Sequence, residues 1–490
     1  MKGNKGDFLN ETTGDHLVNF FSKAGNIRRK EIGLNPYFYS NTVDYQELYK
    51  KAWDCDEYMS MQLLMWMRDC RGGAGSRGEF RNILKWLAEN HTEWVNVNIH
   101  FVPEVGRWDD LLCLIDTECE KTALEFWAKN ILDKNALANK WVPREKSNKL
   151  YFHKIRHFVG DQLNAKISPQ DFRKHLSKHS KVIESQMCDN QWESINYNHV
   201  PSVAMSRYHK TFKRRDGRRF EKWIEDLKSG KSKINAEVLF PHDCIRTLRM
   251  DGNFKDVSAS IGKNYVDSLL ANAQFAALPN YMEENNMRIM PICDFSGSMS
   301  TEIEKGISCL DVSMGLGLYC SDRVGESNPF YRKFIPFSDD AHLVDWENDT
   351  FSVAAQKYCD GYMGLSTQIS KALDKILEAG LITNASNDQM PNCLLIISDM
   401  QFDAVHDSGE NNAVKASLAK WEEKGFNIPV IIYWDLTSYD GYSAQFNEEN
   451  VSTVSGYSPS ILKSICEGEM VTPFEIMKQT ISKYEIVRPY

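Results

Sequence analysis

The chain of 490 residues is 42% apolar and 26% charged, which is typical of a globular protein long enough for more than one core. It has no apolar run long enough to cross a membrane and no apolar leader after Met1, so neither a membrane association nor secretion is expected. Its twelve cysteines include no Cys-x-x-Cys pair, which predicts reduced thiols and a cytoplasmic location.

The formal charge of −9 is unevenly distributed. Residues 287–490 carry about −14, and the first 286 residues therefore carry about +5. This asymmetry indicates that the N-terminal part contacts a polyanion and that the C-terminal part does not. The alternative is chance variation between two solvated surfaces.

Residues 15–285 show apolar side chains at helical spacing and almost no strand-like alternation. Each apolar stripe must be buried against a neighbouring helix. We therefore predict an all-α domain over residues 1–286, built as a HEAT-like array of helical hairpins that could close into a ring. The clearest stripes are Met59, Leu63, Trp66 and Met67; Phe80, Ile83, Leu84 and Leu87; Trp108, Leu111, Leu112 and Ile115; Leu124, Ala128 and Ile131; and Phe220, Trp223, Ile224 and Leu227.

A glycine-rich segment, Arg71–Gly78, separates the first two stripes. Glycine tolerates positive φ and commonly ends helices, so helix punctuation is the favoured interpretation. The alternative is a phosphate cradle, because the segment is flanked or occupied by Arg68, Arg71, Arg77 and Arg81.

The densest basic stretch runs from Arg207 to Lys233 and contains only four acidic residues. Tyr208, Phe212 and Phe220 are interleaved, as expected of a surface that stacks on unpaired bases and neutralises phosphates. The alternative is a solvated helix face whose aromatic side chains point into the core. The predicted RNA contacts are Arg207, Lys210, Lys213, Arg214, Arg215, Arg218 and Arg219.

After residue 286 the pattern changes to short apolar runs that alternate with helical segments. Such alternation predicts a doubly wound, mostly parallel sheet over residues 287–490. The segment Lys333–Trp346 reads as a hairpin around residues 338–340, which would place an antiparallel strand at one sheet edge. The predicted strands are Arg288–Cys293, Phe334–Phe337, Cys393–Ser398 and Ile428–Trp434, and the predicted helices lie around Cys309–Cys320, Gln368–Ala379 and Ala413–Lys424.

Hard oxygen ligands follow the strands of this domain. Asp294, Ser296 and Ser298 come directly after the first strand, where a doubly wound sheet places its ligands. Thr367 precedes a helix, and Asp399 follows the strand Cys393–Ser398. One or two carboxylates with hydroxyl oxygens are ligands that Mg²⁺ prefers. The alternative is a metal-free domain in which the serines cap the following helix.

This set resembles the metal-ion-dependent adhesion site (MIDAS) of von Willebrand A domains. The resemblance implies that Asp294, Ser296, Ser298, Thr367 and Asp399 surround one Mg²⁺ or Mn²⁺ ion, directly or through water. It also implies an open coordination position, which water or a carboxylate of an acidic protein partner completes. Gln401 stands where a glycine is common, so the third loop departs from the pattern.

A helical region followed by such a domain resembles the Ro autoantigen family, in which TROVE helical repeats form a ring with a von Willebrand A domain. The similar segments are Val200–Arg207, Phe240–His242 and Ser455–Ser460. Met67–Phe80 and Val105–Leu112 look closer to an uncharacterised branch of viral, fungal and plant proteins. The resemblance implies a ribonucleoprotein component that binds single-stranded or small structured RNA.

No Ser-His-Asp, Cys-His or paired-carboxylate constellation is evident, so we expect no enzymatic activity. A nuclease is disfavoured because a single hydroxyl-rich site lacks a second ion and a general base. The remaining alternative is a metal-dependent protein-interaction scaffold that binds no RNA. We expect a monomer in the cytoplasm, or in the host cytoplasm if the protein is viral.

Overall fold

A computed structural model describes residues 15–25, 43–236, 239–248, 265–283, 287–304, 307–337, 341–359, 369–399, 407–437, 451–467 and 472–489. The chain divides into two compact units. We call residues 41–200 and 481–490 the helical unit, and residues 1–40 and 201–480 the sheet unit. The sheet unit thus includes the first described helix, α1 (His16–Ala24).

Every regular element described in the helical unit is a helix, as the apolar stripes predict. Buried side chains such as Trp66 and Trp127 pack against the neighbouring helices. The helices are α2 (Tyr45–Cys55), α3 (Glu57–Arg68), α4 (Gly78–Asn90), α5 (Thr92–Val97), α6 (Phe101–Val105), α7 (Glu120–Leu132), α8 (Ala136–Trp141), α9 (Lys149–Gln162), α10 (Pro169–His179) and α11 (Ile183–Cys188), with 3-10 turns at Trp108–Leu114, Trp192–Ser194 and Tyr197–His199.

The C-terminal segment, residues 483–488, packs on the helical unit without regular structure. The side-chain amide of Asn98 makes two hydrogen bonds with the backbone of Val487 in this segment. Its Nδ2 donates to the Val487 carbonyl and its Oδ1 accepts from the Val487 N–H, each at 2.8 Å. The Tyr484 hydroxyl donates to Asp69 Oδ2 at 2.7 Å, and Lys483 Nζ lies 3.1 Å from the same oxygen. The sequence pattern gives no sign of this attachment.

The sheet unit contains helices on both sides of the change in sequence pattern at residue 286. The elements before it are α12 (Ser202–Arg215), α13 (Gly217–Lys228), α14 (Pro241–Leu248) and α15 (Tyr265–Ala276). Those after it are β1 (Ile289–Asp294), β2 (Glu302–Glu304), β3 (Ile307–Ser308), α16 (Cys309–Arg323), β4 (Lys333–Phe337), β5 (Val344–Asp345), α17 (Phe351–Cys359), α18 (Ile369–Ile382), β6 (Cys393–Ser398), α19 (Asp407–Glu423), β7 (Val430–Asp435), β8 (Val451–Ser455), α20 (Pro459–Glu467) and α21 (Pro473–Ile481).

The main sheet has the strand order β5-β4-β1-β6-β7-β8. The pairs β4–β1, β1–β6, β6–β7 and β7–β8 are parallel, whereas β5 pairs antiparallel with β4 at the edge. This confirms the doubly wound sheet and its antiparallel edge strand. The predicted turn at residues 338–340 lies outside the described residues.

Two glycines allow close backbone approaches in this unit. A Cβ on Gly315 of α16 would lie 2.7 Å from the backbone nitrogen of His242, at the start of α14. Gly456 has a φ of +104° directly after β8, and a Cβ there would lie 2.9 Å from Gly25. Only glycine fits such positions without displacing the backbone. Among the described helices, none is long and apolar enough to span a membrane.

We predict that Asp69→Ala lowers the free energy of unfolding of the helical unit by about 2–4 kcal/mol, because a buried carboxylate with several donors is lost. Burial alone would raise the pKa of the Asp69 carboxyl, but Lys483, the Arg71 N–H and the Tyr484 hydroxyl together hold that pKa below its usual value. The contribution of Asp69 is therefore present above the unfolded pKa near 4 and is lost as the pH falls through the folded pKa.

Urea titrations of both proteins at pH 7 and at pH 3 measure this difference. The exposed Asp54 on α2 provides the matched control, since Asp54→Ala should leave the transition unchanged. Equal transition midpoints for wild type and Asp69→Ala at pH 7 would show that the C-terminal segment contributes nothing to stability.

Candidate functional site

Asp294 lies at the carboxyl end of the central strand β1 and is 2% exposed. Its Oδ1 accepts the backbone N–H of Ser296 at 2.8 Å, and its Oδ2 accepts the hydroxyl of Ser398 at 2.6 Å. The parallel register of β1 with β6 pairs Cys293 with Ile397, which brings Ser398 beside Asp294 although 104 residues separate them. The carboxylate is therefore held in a fixed orientation.

The two serines of the Asp-x-Ser-x-Ser motif lie next to each other. The Oγ atoms of Ser296 and Ser298 are 3.0 Å apart, at the start of a 3-10 turn over Gly297–Ser300. Ser296 occupies the N-cap position of this turn but makes no capping hydrogen bond with its side chain. The capping alternative for Ser296 is therefore wrong, and its hydroxyl faces that of Ser298 instead.

Two further carboxylates lie at the carboxyl ends of β6 and β7. Asp399, after β6, is 1% exposed, and Asp435, the last residue of β7, is fully buried. Asp435 Oδ1 accepts the backbone N–H of Thr437 at 2.7 Å, and the Thr437 hydroxyl donates to the Asp399 carbonyl at 3.0 Å. Sequence reasoning missed Asp435 because the strand prediction ended one residue early, at Trp434. An aspartate that follows a wholly apolar strand is the signal that was available.

The electrostatics of this edge favour a cation. Burial raises the pKa of the Asp294 carboxyl to about 6; the hydrogen bonds from Ser398 and Ser296 oppose that rise, and the charge of Asp399 adds to it. Buried carboxylates are costly unless a positive charge or several donors compensate them. Carboxylate and hydroxyl oxygens fit a hard divalent cation. Among the described residues there is no group of three or more His, Cys, Asp or Glu side chains that could hold a metal, and Thr367 lies outside them.

The predicted RNA contacts lie on two successive helices, α12 and α13, which we call the basic hairpin. Lys213 and Arg219 are partly buried, and Arg219 pairs with Asp216 at 2.8 Å. Within the described part of the chain, the structure shows no ion pair for Arg207, Arg214, Arg215 or Arg218. The exposed members of the set are Arg207, Lys210, Arg214, Arg215 and Arg218.

The aromatic side chains of the basic hairpin belong to the core. Phe212 and Phe220 are fully buried, with ring centroids 5.9 Å apart, and Phe220 stacks on Trp223 at 5.7 Å. The interpretation that Phe212 and Phe220 stack on bases is therefore wrong. The surface of the hairpin presents guanidinium and ammonium groups instead.

The glycine-rich segment is not a phosphate cradle. It connects α3 to α4, as helix punctuation requires, and the N–H groups of Gly73, Ala74 and Ser76 donate to carbonyls of α3 or of its C-cap. The flanking arginines are engaged by carboxylates from the Trp108–Leu114 turn. Arg68 and Arg81 bind Asp110 through Nε at 2.8 and 2.7 Å, and Arg77 binds Asp109 at 2.6 Å.

Two family models match this chain. One, described as a domain of unknown function (DUF2828), matches residues 4–149 and 128–286, which is more than half of the chain. The chain belongs to the DUF2828 family. The other, a domain of unknown function (DUF7788), matches residues 288–486 of this DUF2828 protein and so covers the strands that carry Asp294, Asp399 and Asp435.

The DUF2828 chain is 23% identical to the uncharacterised protein L728 of Acanthamoeba polyphaga mimivirus, over 98% of this chain and 86% of that protein. This agrees with the viral branch that the sequence motifs resemble. The crystal structure of the Ro (RSR) protein of Deinococcus radiodurans aligns with 98% of this chain and 94% of that one, at 13% identity and a TM-score of 0.38. A likeness at this level supports no conclusion about function.

We predict that, without metal, the protein loses stability relative to Asp294→Asn as the pH rises from about 4 to about 6. Burial raises the pKa of Asp294 in the folded state to about 6. The folded state therefore favours the protonated carboxyl, and the free energy of unfolding falls as the pH rises and the carboxyl ionises. The loss should reach at most about 3 kcal/mol. Mg²⁺ at pH 7.5 should restore the wild type and leave the variant unchanged.

Thermal melting in EDTA across this pH range measures the stability of the metal-free proteins. The same melting with Mg²⁺ in place of EDTA measures the effect of the ion. Asp388→Asn, at an exposed position before β6, is the matched control and should follow the wild type in every condition. Parallel pH curves for wild type and Asp294→Asn would mean that Asp294 does not ionise in a buried site.

Proposed function

We propose that this protein is an RNA-binding ribonucleoprotein component, which binds RNA phosphates on the basic hairpin and a divalent cation at the edge of the sheet. The supporting observation is the group of exposed arginines, Arg207, Arg214, Arg215 and Arg218, for which no ion pair is found among the described residues. Like charges crowded without counter-charges repel one another, and a polyanion relieves that repulsion. The resemblance of Val200–Arg207 to the Ro helical region favours RNA as that polyanion.

The spacing of the cations suits a phosphate backbone. Arg207, Lys210 and Arg214 follow one another at helical intervals of three and four residues along α12, so they share one face. Arg215 and Arg218 extend the charge around the turn at Asp216. Contacts of this kind are insensitive to base sequence, because phosphates carry no sequence information.

We predict that reversing Arg214, Arg215, Arg218 and Arg219 to Glu weakens RNA binding at least about tenfold for every sequence tested and flattens the dependence of affinity on salt. Fewer neutralised phosphates release fewer counterions. Electrophoretic mobility shifts with single-stranded and stem-loop RNAs over a salt series provide the measurement, and a melting curve checks the fold.

The matched control reverses the same number of exposed lysines in the helical unit: Lys121, Lys146, Lys166 and Lys174. It changes the net charge equally, so only a local site distinguishes the two variants. An equal loss of RNA affinity in the arginine and lysine variants would show that binding depends on net charge alone. Unchanged affinity in both variants would place any RNA site elsewhere.

The cation site that we propose is held by Asp294, Ser296, Ser298, Thr367 and Asp399, with Mg²⁺ or Mn²⁺ as the ion. The buried carboxylates and the paired serine hydroxyls at the sheet edge support it. They also favour a second candidate function, a scaffold whose cation binds a carboxylate of an acidic protein partner. RNA that copurifies with the protein, seen as a raised ratio of absorbance at 260 to 280 nm, would favour the first function over the second.

We further propose that the protein is no hydrolase, since one hydroxyl-rich cation site lacks the second ion on which metal-dependent nucleases commonly rely. Incubation with Mg²⁺ and labelled single-stranded RNA or DNA should therefore give no cleavage above a buffer control. Cleavage by the wild type that disappears in Asp294→Ala would contradict this proposal and identify the site as catalytic.

A further inference from the structure

The two oxygens of the Asp294 carboxylate have different surroundings. Oδ1 accepts the backbone N–H of Ser296 at 2.8 Å, on the side of the loop where Ser296 and Ser298 are half-buried and reached by solvent. Oδ2 accepts the hydroxyl of Ser398 at 2.6 Å, inside the sheet, where Ser398 is 0% exposed. A cation that enters from solvent past the serine hydroxyls therefore meets Oδ1 first, with Oδ2 behind it.

The hydrogen bond from Ser398 is strong and sheltered from water. A distance of 2.6 Å is short, as is usual between a hydroxyl and an ionised carboxylate, and such bonds are about twice as strong as those between neutral groups. Ser398 is the last residue of β6 and is fully buried, so water cannot replace either partner. Rotation of the Asp294 carboxylate would break this bond. Ser398 thus fixes the direction in which Asp294 presents Oδ1.

The loops that carry the serines and Asp399 are also held by hydrogen bonds. The Ser298 carbonyl accepts two bonds from Thr301, from the N–H at 3.0 Å and from the hydroxyl at 2.6 Å, which close the turn after β1. The Asp399 carbonyl accepts the Thr437 hydroxyl at 3.0 Å. Because the backbone on both sides is fixed, rotation of the Asp294 carboxylate decides whether one or both of its oxygens can reach an ion.

Mg²⁺ and Ca²⁺ require different ligand arrangements. Mg²⁺ requires near-octahedral geometry at about 2.1 Å, which a rigid set of hydroxyls and single carboxylate oxygens can provide. Ca²⁺ takes about six to eight oxygens at about 2.4 Å and commonly binds both oxygens of one carboxylate. To present both oxygens to one ion, Asp294 would have to turn away from Ser398 and lose that hydrogen bond. The surroundings of Asp294 therefore favour the smaller ion.

We propose that Ser398 is a positioning residue that makes the cation site select Mg²⁺ over Ca²⁺, because it holds Asp294 with only Oδ1 directed at the ion. This inference rests on the cation site proposed above, and it assigns Ser398 no direct contact with the ion. Ser398 immediately precedes the proposed ligand Asp399. The end of β6 thus supplies both a ligand and the residue that orients the ligand of β1.

Calorimetric titration of the metal-free, full-length protein with MgCl₂ and with CaCl₂ at pH 7.5 tests the proposal. The wild type should bind Mg²⁺ at least about tenfold more tightly than Ca²⁺. Ser398→Ala should weaken Mg²⁺ binding about tenfold or more, the usual effect of removing a residue that orients a metal ligand, and should leave Ca²⁺ binding unchanged or stronger. A purely structural role would weaken the binding of both ions equally.

Further substitutions separate positioning from packing. Ser398→Thr keeps the hydroxyl and should keep the preference for Mg²⁺. Ser398→Cys nearly keeps the volume but has only a weak donor, so it should lose the preference even if the alanine variant is too unstable to titrate. Ser452→Ala is the matched control and should behave as the wild type, because Ser452 is a buried serine on β8, which borders neither β1 nor β6. Melting curves in EDTA check the fold of each variant.

The possible outcomes separate this inference from the proposed function. If the wild type binds neither ion, the cation site is wrong and the inference fails with it. If the wild type binds both ions equally, or if folded Ser398→Ala or Ser398→Cys keeps the preference for Mg²⁺, the cation site stands and the role of Ser398 is overturned. Loss of the preference in folded Ser398→Thr or Ser452→Ala would also overturn it, since packing rather than the hydroxyl would then decide.

Discussion

The parallel pairing of β1 with β4 on one side and with β6 on the other is the constraint on which the sheet unit depends. Strands that run in one direction bring all their carboxyl ends to one edge of the sheet. The chain continues from β1 to β4 on one side of it and later adds β6 on the other side, so β1 lies where the strand order reverses. Asp294 and Ser398, 104 residues apart in sequence, are hydrogen-bonded there, and Ser398 is in register with Asp435.

The arginines of this protein occur in two different environments, which differ in whether a carboxylate lies within ion-pair distance. In the helical unit, Arg68 is 3% exposed and binds the fully buried Asp110, which the backbone N–H of Arg107 also contacts. Removal of Asp110 would leave the buried guanidinium of Arg68 without its carboxylate partner, so the pair fixes how α3 meets the Trp108–Leu114 turn. On the basic hairpin Arg207, Arg214, Arg215 and Arg218 are exposed, and no ion pair is found for them among the described residues. Residue type alone does not distinguish these two situations.

Much of the fold follows from periodicity in the sequence. Cys393–Ser398 is predicted to the residue, because a wholly apolar run bounded by polar residues leaves little choice of strand limits, and the hairpin of β4 and β5 is recognisable from its polar turn. The motif Asp294-x-Ser296-x-Ser298 is equally visible. What periodicity cannot give are contacts between distant segments: the carboxylate partners of Arg68 and Arg81, and the attachment of Tyr484 to Asp69. The burial of Phe212 and Phe220 was an open alternative that only packing decides.

The attachment of the C-terminal segment has a consequence for biosynthesis. Gln62 and Asn98 bind Tyr484 and Val487, which follow them by 422 and 389 residues. At roughly 5–20 residues per second, a ribosome needs on the order of half a minute to deliver these partners after Asn98 has been made. During that interval the amide of Asn98 and the carboxylate of Asp69 face solvent or a chaperone. The helices around Asn98 are thus completed by residues 483–488, and Val487 follows Asn98 in synthesis by 389 residues.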